Sequence, residues 1–144
     1  MMAIEQGVTN IFKTGLPSGT FNFSTDTFKM ALYTANASLG PTTDAYTATG
    51  EITGTGYSAG GQVVTVSVQP TTGSDQTNTT AYLSFNNVLW SPANFTCRGA
   101  LIYKSGGGNP TVCVLDFGSD KVAPNTFQVE FPSATSTSAI IRIA

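Results

Sequence analysis

Histidine is missing altogether from the 144 residues. Histidine is the commonest general base and a leading metal ligand, so a Ser-His-Asp triad is excluded and a cysteine nucleophile lacks its usual activator. Charge is scarce as well. Six Lys and Arg and eight Asp and Glu make up 10% of the chain, against a typical ~25%, and leave a net charge of −2. That balance carries no basic footprint for nucleic acid. Long apolar runs are absent: none approaches the ~18 residues of a membrane-crossing helix, and the stretch Ala139 to Ile143 is interrupted by Arg142. Met1 to Gln6 has neither the basic nor the apolar region of a secretory signal, so export by that route is not expected. Four Asn-x-Ser/Thr sequons, at Asn22, Asn36, Asn78 and Asn94, carry little weight in a chain with 23 Thr and 13 Ser.

What is present is period-two alternation. Phe28, Met30 and Leu32 fall on one face of Thr27–Thr34; Val64, Val66 and Val68 on one face of Gln62–Gln69; Leu83 and Phe85 on one face of Ala81–Asn86. Phe127, Val129 and Phe131 do the same in Thr126–Phe131, as do Ala139, Ile141 and Ile143 in Thr137–Ala144. Arg98–Lys104 and Thr111–Phe117 read as a hairpin about Ser105–Pro110, with shorter strands at Thr20–Ser24, Gly50–Thr53 and Val88–Ser91. Thr, Val, Ile, Phe and Tyr suit a pleated, half-buried surface. Eight to ten short strands of this kind predict an all-β chain, an antiparallel β-sandwich with one buried face per sheet. The strand count points to a jelly roll, with an immunoglobulin-like sandwich second, since Trp90 precedes both cysteines.

Two units are expected: an N-terminal arm over residues 1–19 and the sandwich domain over 20–144. Thr9 to Gly15 reads as one helical turn, with Thr9 or Asn10 as N-cap and Gly15 as its stop, followed by a turn at Leu16–Gly19. The arm is moderately apolar through Ile4, Val8, Ile11, Phe12 and Leu16, and these five residues are the candidate partner-binding set. Either the arm reaches a neighbouring subunit and adds to a sheet edge there, or Ile11, Phe12 and Leu16 cover an open end of the sandwich. Ala35–Gly50 and Pro70–Thr80 read as exposed loops.

No chemical constellation emerges. Asp116-Phe117-Gly118 spells a kinase triplet in a chain far too short for a kinase, and reads as a strand ending in a glycine turn. Gly54–Gly61 has the wrong spacing for a dinucleotide loop and reads as a hairpin loop. Asp116 and Asp120 beside Lys121 read as a solvated turn with a local Asp–Lys pair, not a calcium site. Glu51 and Glu130 are the conceivable glycosidase pair, but nothing in sequence brings them together. Most aromatics are expected in the core; Tyr46 and Tyr57, in loops, are the better candidates for a partner surface. No catalytic, metal or cofactor residue is expected, and no cofactor.

Four blocks in order are Asp26–Thr34, Gly50–Gly61, Phe95–Tyr103 and Ser138–Ala144 (DTFKMALYT, GEITGTGYSAGG, FTCRGALIY and SAIIRIA). Together they resemble a family of small virion proteins of tailed bacteriophages, over the chain from about Val8 onward. The resemblance implies a virion component without enzymatic activity, most simply a capsid cement or decoration protein. Its implied partners are the major capsid protein and itself, as a homotrimer, with no nucleic acid and no membrane. Its implied place is the capsid surface after synthesis in the host cytoplasm. Apolar residues on both faces of some strands, Ile140 beside Ile141 and Val63 beside Val64, agree with self-association. The alternative is a tail-associated receptor-binding or fibre-adaptor module for a host glycan, with Tyr46, Tyr57, Asp44 and Asn78 as candidate contacts.

The hairpin also bears on Cys97 and Cys113. Folding about its link puts Lys104 opposite Thr111, Ile102 opposite Cys113 and Cys97 opposite Gly118. The two thiols then point to opposite faces unless a bulge at Gly99 changes the parity. Unpaired thiols follow, each a small buried hydrophobe. Alkylation of the denatured, unreduced chain is expected to add two adducts by intact mass; no adducts would reveal a disulfide.

Overall fold

The computed structural model describes residues 3–72, 80–135 and 137–143, so Met1, Met2, Asn78, Ala144 and most of the expected loop at 70–80 lie outside the described residues. It is an all-β sandwich, 47% strand and 7% helix, in which every strand pairing is antiparallel. The strands are β1 (Gly7–Val8), β2 (Phe28–Tyr33), β3 (Gln62–Val64), β4 (Val66–Thr72), β5 (Ala81–Phe85), β6 (Val88–Trp90), β7 (Phe95–Lys104), β8 (Thr111–Ala123), β9 (Phe127–Val129) and β10 (Ile141–Ile143). One helix, α1, spans Asn10–Ser18. A five-stranded sheet has the order β1-β8-β7-β2-β3; a three-stranded sheet has the order β10-β5-β4; β6 and β9 form a ribbon. The sandwich is established at the level of layers, whereas jelly-roll connectivity is not part of what this strand order shows.

Apolar alternation closes the layers. Phe28, Met30 and Leu32 of β2 and Ala100 and Ile102 of β7 share a core with Leu83 and Phe85 of β5, Val88 and Trp90 of β6, Val129 of β9 and Ile141 of β10. A ladder of rings runs through it: Phe12, Phe21, Phe23, Phe28 and Phe85 are linked by centroid separations of 4.8–6.3 Å. Offset and edge contacts of this kind add to the area they bury. Trp90 is 1% exposed and its Nε1 has no hydrogen-bond partner; its ring stands perpendicular to that of Phe95 at 6.4 Å. Residues 20–24 are not a strand but run irregularly into a turn at 23–25, yet Phe21 and Phe23 still alternate inward. The valine stripe Val64, Val66, Val68 keeps its period but divides at Thr65, so β3 joins one sheet and β4 the other. Pro70 sits on exposed edge strand β4 where the register shifts, a place that tolerates its missing N–H.

The expectation of one buried face per sheet fails for β2 and β7. Ala31, Tyr33, Leu101, Tyr103 and, on β8, Val114 form a second core on the outer side of the five-stranded sheet. What covers them is the long connection 34–61: the stretch expected as an exposed loop keeps Asn36, Asp44 and Thr49 exposed but buries Ala37 and Leu39 on that side. Four of the five tyrosines fasten it. Tyr46 Oη and Tyr57 Oη donate to the two carboxylate oxygens of Glu51 at 2.6 and 2.5 Å, and Gly60 N–H donates to Glu51 Oε2 at 2.8 Å. Tyr33 Oη donates to the Thr47 carbonyl at 2.7 Å, and Tyr103 Oη to the Gly60 carbonyl at 2.6 Å. Tyr57 Oη also accepts the Leu32 N–H at 2.9 Å, a backbone donor that β3 does not reach. The chain can turn back onto the β2 edge because residue 61 is glycine: its φ is +81° and a Cβ there would strike the Met30 carbonyl oxygen.

The β7–β8 hairpin pairs Ile102 with Cys113 as expected, but Cys97 faces Lys121, not Gly118. The register shifts between Cys97 and Gly99, where the sequence allowed a bulge, with four residues of β8, 117–120, opposite Arg98 alone. The alternation of β7 changes face at the same place, so the thiols do not point to opposite faces: both free cysteines enter the same main core. The tyrosine network has a pH consequence. Burial first, and the Glu51 carboxylate second, raise Tyr46 and Tyr57 above the ordinary 10.0; Tyr33 and Tyr103 are raised by the same two causes. The folded chain holds these phenol protons at a pH where the unfolded chain releases them. Their contribution is therefore complete below pH 10.0 and declines as pH rises above it. An alkaline titration by tyrosinate absorbance is expected to lag that of the denatured chain and to rise together with unfolding. Glu51→Ala is expected to cost about 2 kcal/mol in denaturant melts, and exposed Thr49→Ala under about 0.5.

Candidate protein-docking groove at the helix end

The N-terminal residues do not stand apart from the sandwich. Leu39 N–H donates to the Ala3 carbonyl at 3.0 Å and Glu5 N–H to the Leu39 carbonyl at 2.8 Å, so the chain first pairs with the covering loop. It then adds β1 to the edge of β8, Gly7 opposite Val114 and Val8 opposite Cys113. Thr9, fully buried, starts the helix: its Oγ1 accepts the Phe12 N–H at 3.3 Å and lies 3.2 Å from the carbonyls of Thr111 and Val112. A Thr in this position satisfies an amide that the first helical turn leaves unpaired. Thr111 Oγ1 in turn lies 3.0 Å from Thr9 Oγ1 and donates to the Thr43 carbonyl at 2.5 Å, which ties the cap to the covering loop.

The helix is longer than the single turn expected. It runs through Gly15 and Pro17 and stops at Gly19, whose φ of +78° lets its N–H reach back to Gly15 and Leu16. Gly15 is a packing residue, since a Cβ there would lie 2.6 Å from the Phe21 ring. Pro17 comes late enough to remove one hydrogen bond without breaking the preceding turns.

Between α1 and β10 lies an apolar groove of about 550 Å³, lined by Val8, Phe12, Lys13, Leu16, Pro17 and the run Ile141 to Ile143. Three of the five candidate residues, Val8, Phe12 and Leu16, line it. Their positions differ. Val8 and Leu16 are half-buried, while Phe12 is 1% exposed and belongs to the core as the groove's floor. Ile11 is half-buried on the helix outside the lining, and Ile4 packs against the second core, with two of its carbons within 3.0 Å of where a Gly99 Cβ would be. The opposite wall, Ile141 and Ile143, was visible in the sequence as an apolar stripe but not as part of a site. Ile143 is 48% exposed.

The other candidates fall elsewhere. Tyr46 and Tyr57 are half-buried in the Glu51 network, which removes their hydroxyls from a partner surface, and Asp44 is exposed near the β7–β8 turn. Asp116 pairs with Arg98 at 3.2 Å, not with Lys121, and the Gly118 N–H at 2.9 Å together with Arg98 lowers its pKa. Among the described residues no three His, Cys, Asp or Glu side chains converge as metal ligands, and no helix is long and apolar enough to cross a membrane. Burial pushes the thiols of Cys97 and Cys113 up to about 12, which keeps them protonated and poorly nucleophilic at neutral pH.

Compared with known families, curated proteins and solved structures, the chain matches no family model, no curated protein and no solved structure. The groove's floor and walls are expected to respond differently to substitution. Phe12→Ala should cost about 3–5 kcal/mol, as removal of a buried ring does. Ile143→Ser should cost under about 1 kcal/mol, since half of that side chain already faces solvent. Thermal or urea melts of the two variants check the pair.

Proposed function

We propose that this chain is a non-enzymatic virion structural protein of a tailed bacteriophage, a capsid cement protein that binds the outer face of the major capsid protein shell as a homotrimer. The observation that carries the reading is the groove: a preformed apolar surface on the face built by the N-terminal segment, in the region expected to meet a partner. Support comes also from the resemblance of the four sequence blocks. The work of such a protein is mechanical: many modest contacts repeated around a shell bind tightly through effective concentration. The exposed apolar side chains Val63 and Leu89, 53% and 50% exposed, lie on elements joined by the Gln62 Nε2 bond to the Leu89 carbonyl, and supply a separate surface for self-association. Ile140, by contrast, packs partly against the core.

One observation favours a second reading, a tail-associated receptor-binding or fibre-adaptor module for a host glycan. The β8 bulge and β9 frame a cleft of about 230 Å³ in which Phe117 and Phe127, 5.9 Å apart, stand beside Lys121, Gln128 and Glu130. An aromatic face next to amide and carboxylate groups suits a sugar. Gel densitometry of purified particles separates the two. Cement predicts a copy number that scales with the capsid subunits; a tail module predicts the few copies of a tail component. Light scattering of the purified protein is expected to give a trimer mass, and a monomer at micromolar concentration would contradict the oligomeric part.

A further inference from the structure

We propose that the α1–β10 groove receives an extended segment of the partner protein, apolar at alternate residues and acidic between them, which adds as a strand to the outer edge of β10. The inference rests on reading the groove as the partner-binding face, and it names the chemistry of what binds there.

Three observations converge. The first is the free edge. β10 ends the order β10-β5-β4, so among the described residues no strand pairs with its other side. An edge strand presents a row of backbone donors and acceptors that another chain can satisfy. The second is the apolar wall beside that edge. Val8, Phe12, Leu16 and Pro17 face Ile141 and Ile143 across about 550 Å³, room for several aliphatic side chains. A strand laid along β10 sends every second side chain to one side, so one apolar set enters the groove while the other set stays outside. The third is charge. Lys13 and Arg142 are the charged residues of the lining, no carboxylate lines it, and the chain as a whole carries a net charge of −2. Arg142 alternates with Ile141 and Ile143 along β10 and so neighbours the guest's outer set, and Lys13 is an exposed residue of the helix wall; carboxylates beside these cations gain partners at little desolvation cost. A helical guest would fill the apolar wall but leave the β10 edge unpaired.

The test is a selection of random twelve-residue peptides displayed on ribosomes against the immobilised full-length protein, repeated with Lys13→Glu and with the Lys13→Glu, Arg142→Glu pair. Melting temperatures near wild type confirm that the variants fold. The expected peptides alternate apolar and acidic residues, bind the paired variant at least about tenfold more weakly, and slow amide exchange at Ile141–Ile143 when bound. A tenfold loss corresponds to about 1.4 kcal/mol. Basic or helical peptides, binding indifferent to both reversals, protection confined to other strands, or no selected peptide would each overturn the proposal. The same paired variant is then added to particles lacking the protein. If wild type binds particles and the variant binds equally, the groove assignment fails while the cement reading stands. If wild type itself does not bind, the cement reading fails and the peptide result is judged alone. If the reversals abolish trimer formation, the occupant is a second copy of this chain, and the proposal of a foreign strand is overturned.

Discussion

The Glu51 carboxylate is the constraint on which much of this structure hangs. It accepts from Tyr46, Tyr57 and Gly60 at once, and so holds the segment 34–61 against the outer side of the five-stranded sheet. Without that cover, Ala31, Tyr33, Leu101, Tyr103 and Val114 would meet water. The cover then becomes a template. Leu39 exchanges hydrogen bonds with Ala3 and Glu5, Pro41 accepts the Asn10 N–H, and Thr43 accepts from Thr111 beside the helix cap. The course of β1, the start of α1 and hence one wall of the groove follow from a network centred some forty residues later in the chain. Hydrogen bonds to a charged acceptor are stronger than neutral ones, which suits a single carboxylate to this task.

The helix end shows how a surface can be preformed without being rigid by mass. Phe12 is bound into the ring ladder with Phe21 and Phe23 and is unavailable to any partner. Leu16 and Val8, on the same side, remain half-open. Removing residues 1–19 would therefore strip an edge strand and a core ring together, so truncation cannot isolate docking from folding. Charge at the rim can be changed without that confusion, because Lys13 and Arg142 are exposed and Arg142 spends one donor on the Thr137 carbonyl at 2.7 Å.

Local rules read much of this from sequence. The alternation of Phe28, Met30 and Leu32 marks β2, the Ser105–Pro110 link sets the hairpin with Ile102 opposite Cys113, and Thr9 caps its helix. What was illegible depends on contacts that the apolar period does not encode, some between near neighbours in sequence and some between distant ones. Gly15 looks like a stop until Phe21 is seen against it. Tyr46 and Tyr57 look free until Glu51 is placed between them, and Asp116 looks like a partner for Lys121 until the β8 bulge turns Arg98 toward it. The groove is the extreme case: one wall lies near residue 12 and the other near residue 142, and no periodicity links the two. Val8, Phe12 and Leu16 could be singled out as apolar, but not divided into floor and wall.

Lysine footprinting on the particle tests the partner face most directly. The chain has lysines at 13, 29, 104 and 121; Lys13 and Lys121 are both exposed, one at the groove and the other at the aromatic cleft. An amine-reactive label, applied to the free protein and to the protein on its particle, reports which of the two is covered. The account predicts that Lys13 loses reactivity on the particle while Lys121 keeps it. Lys13 labelled equally in both states, with Lys121 protected in its place, would contradict it.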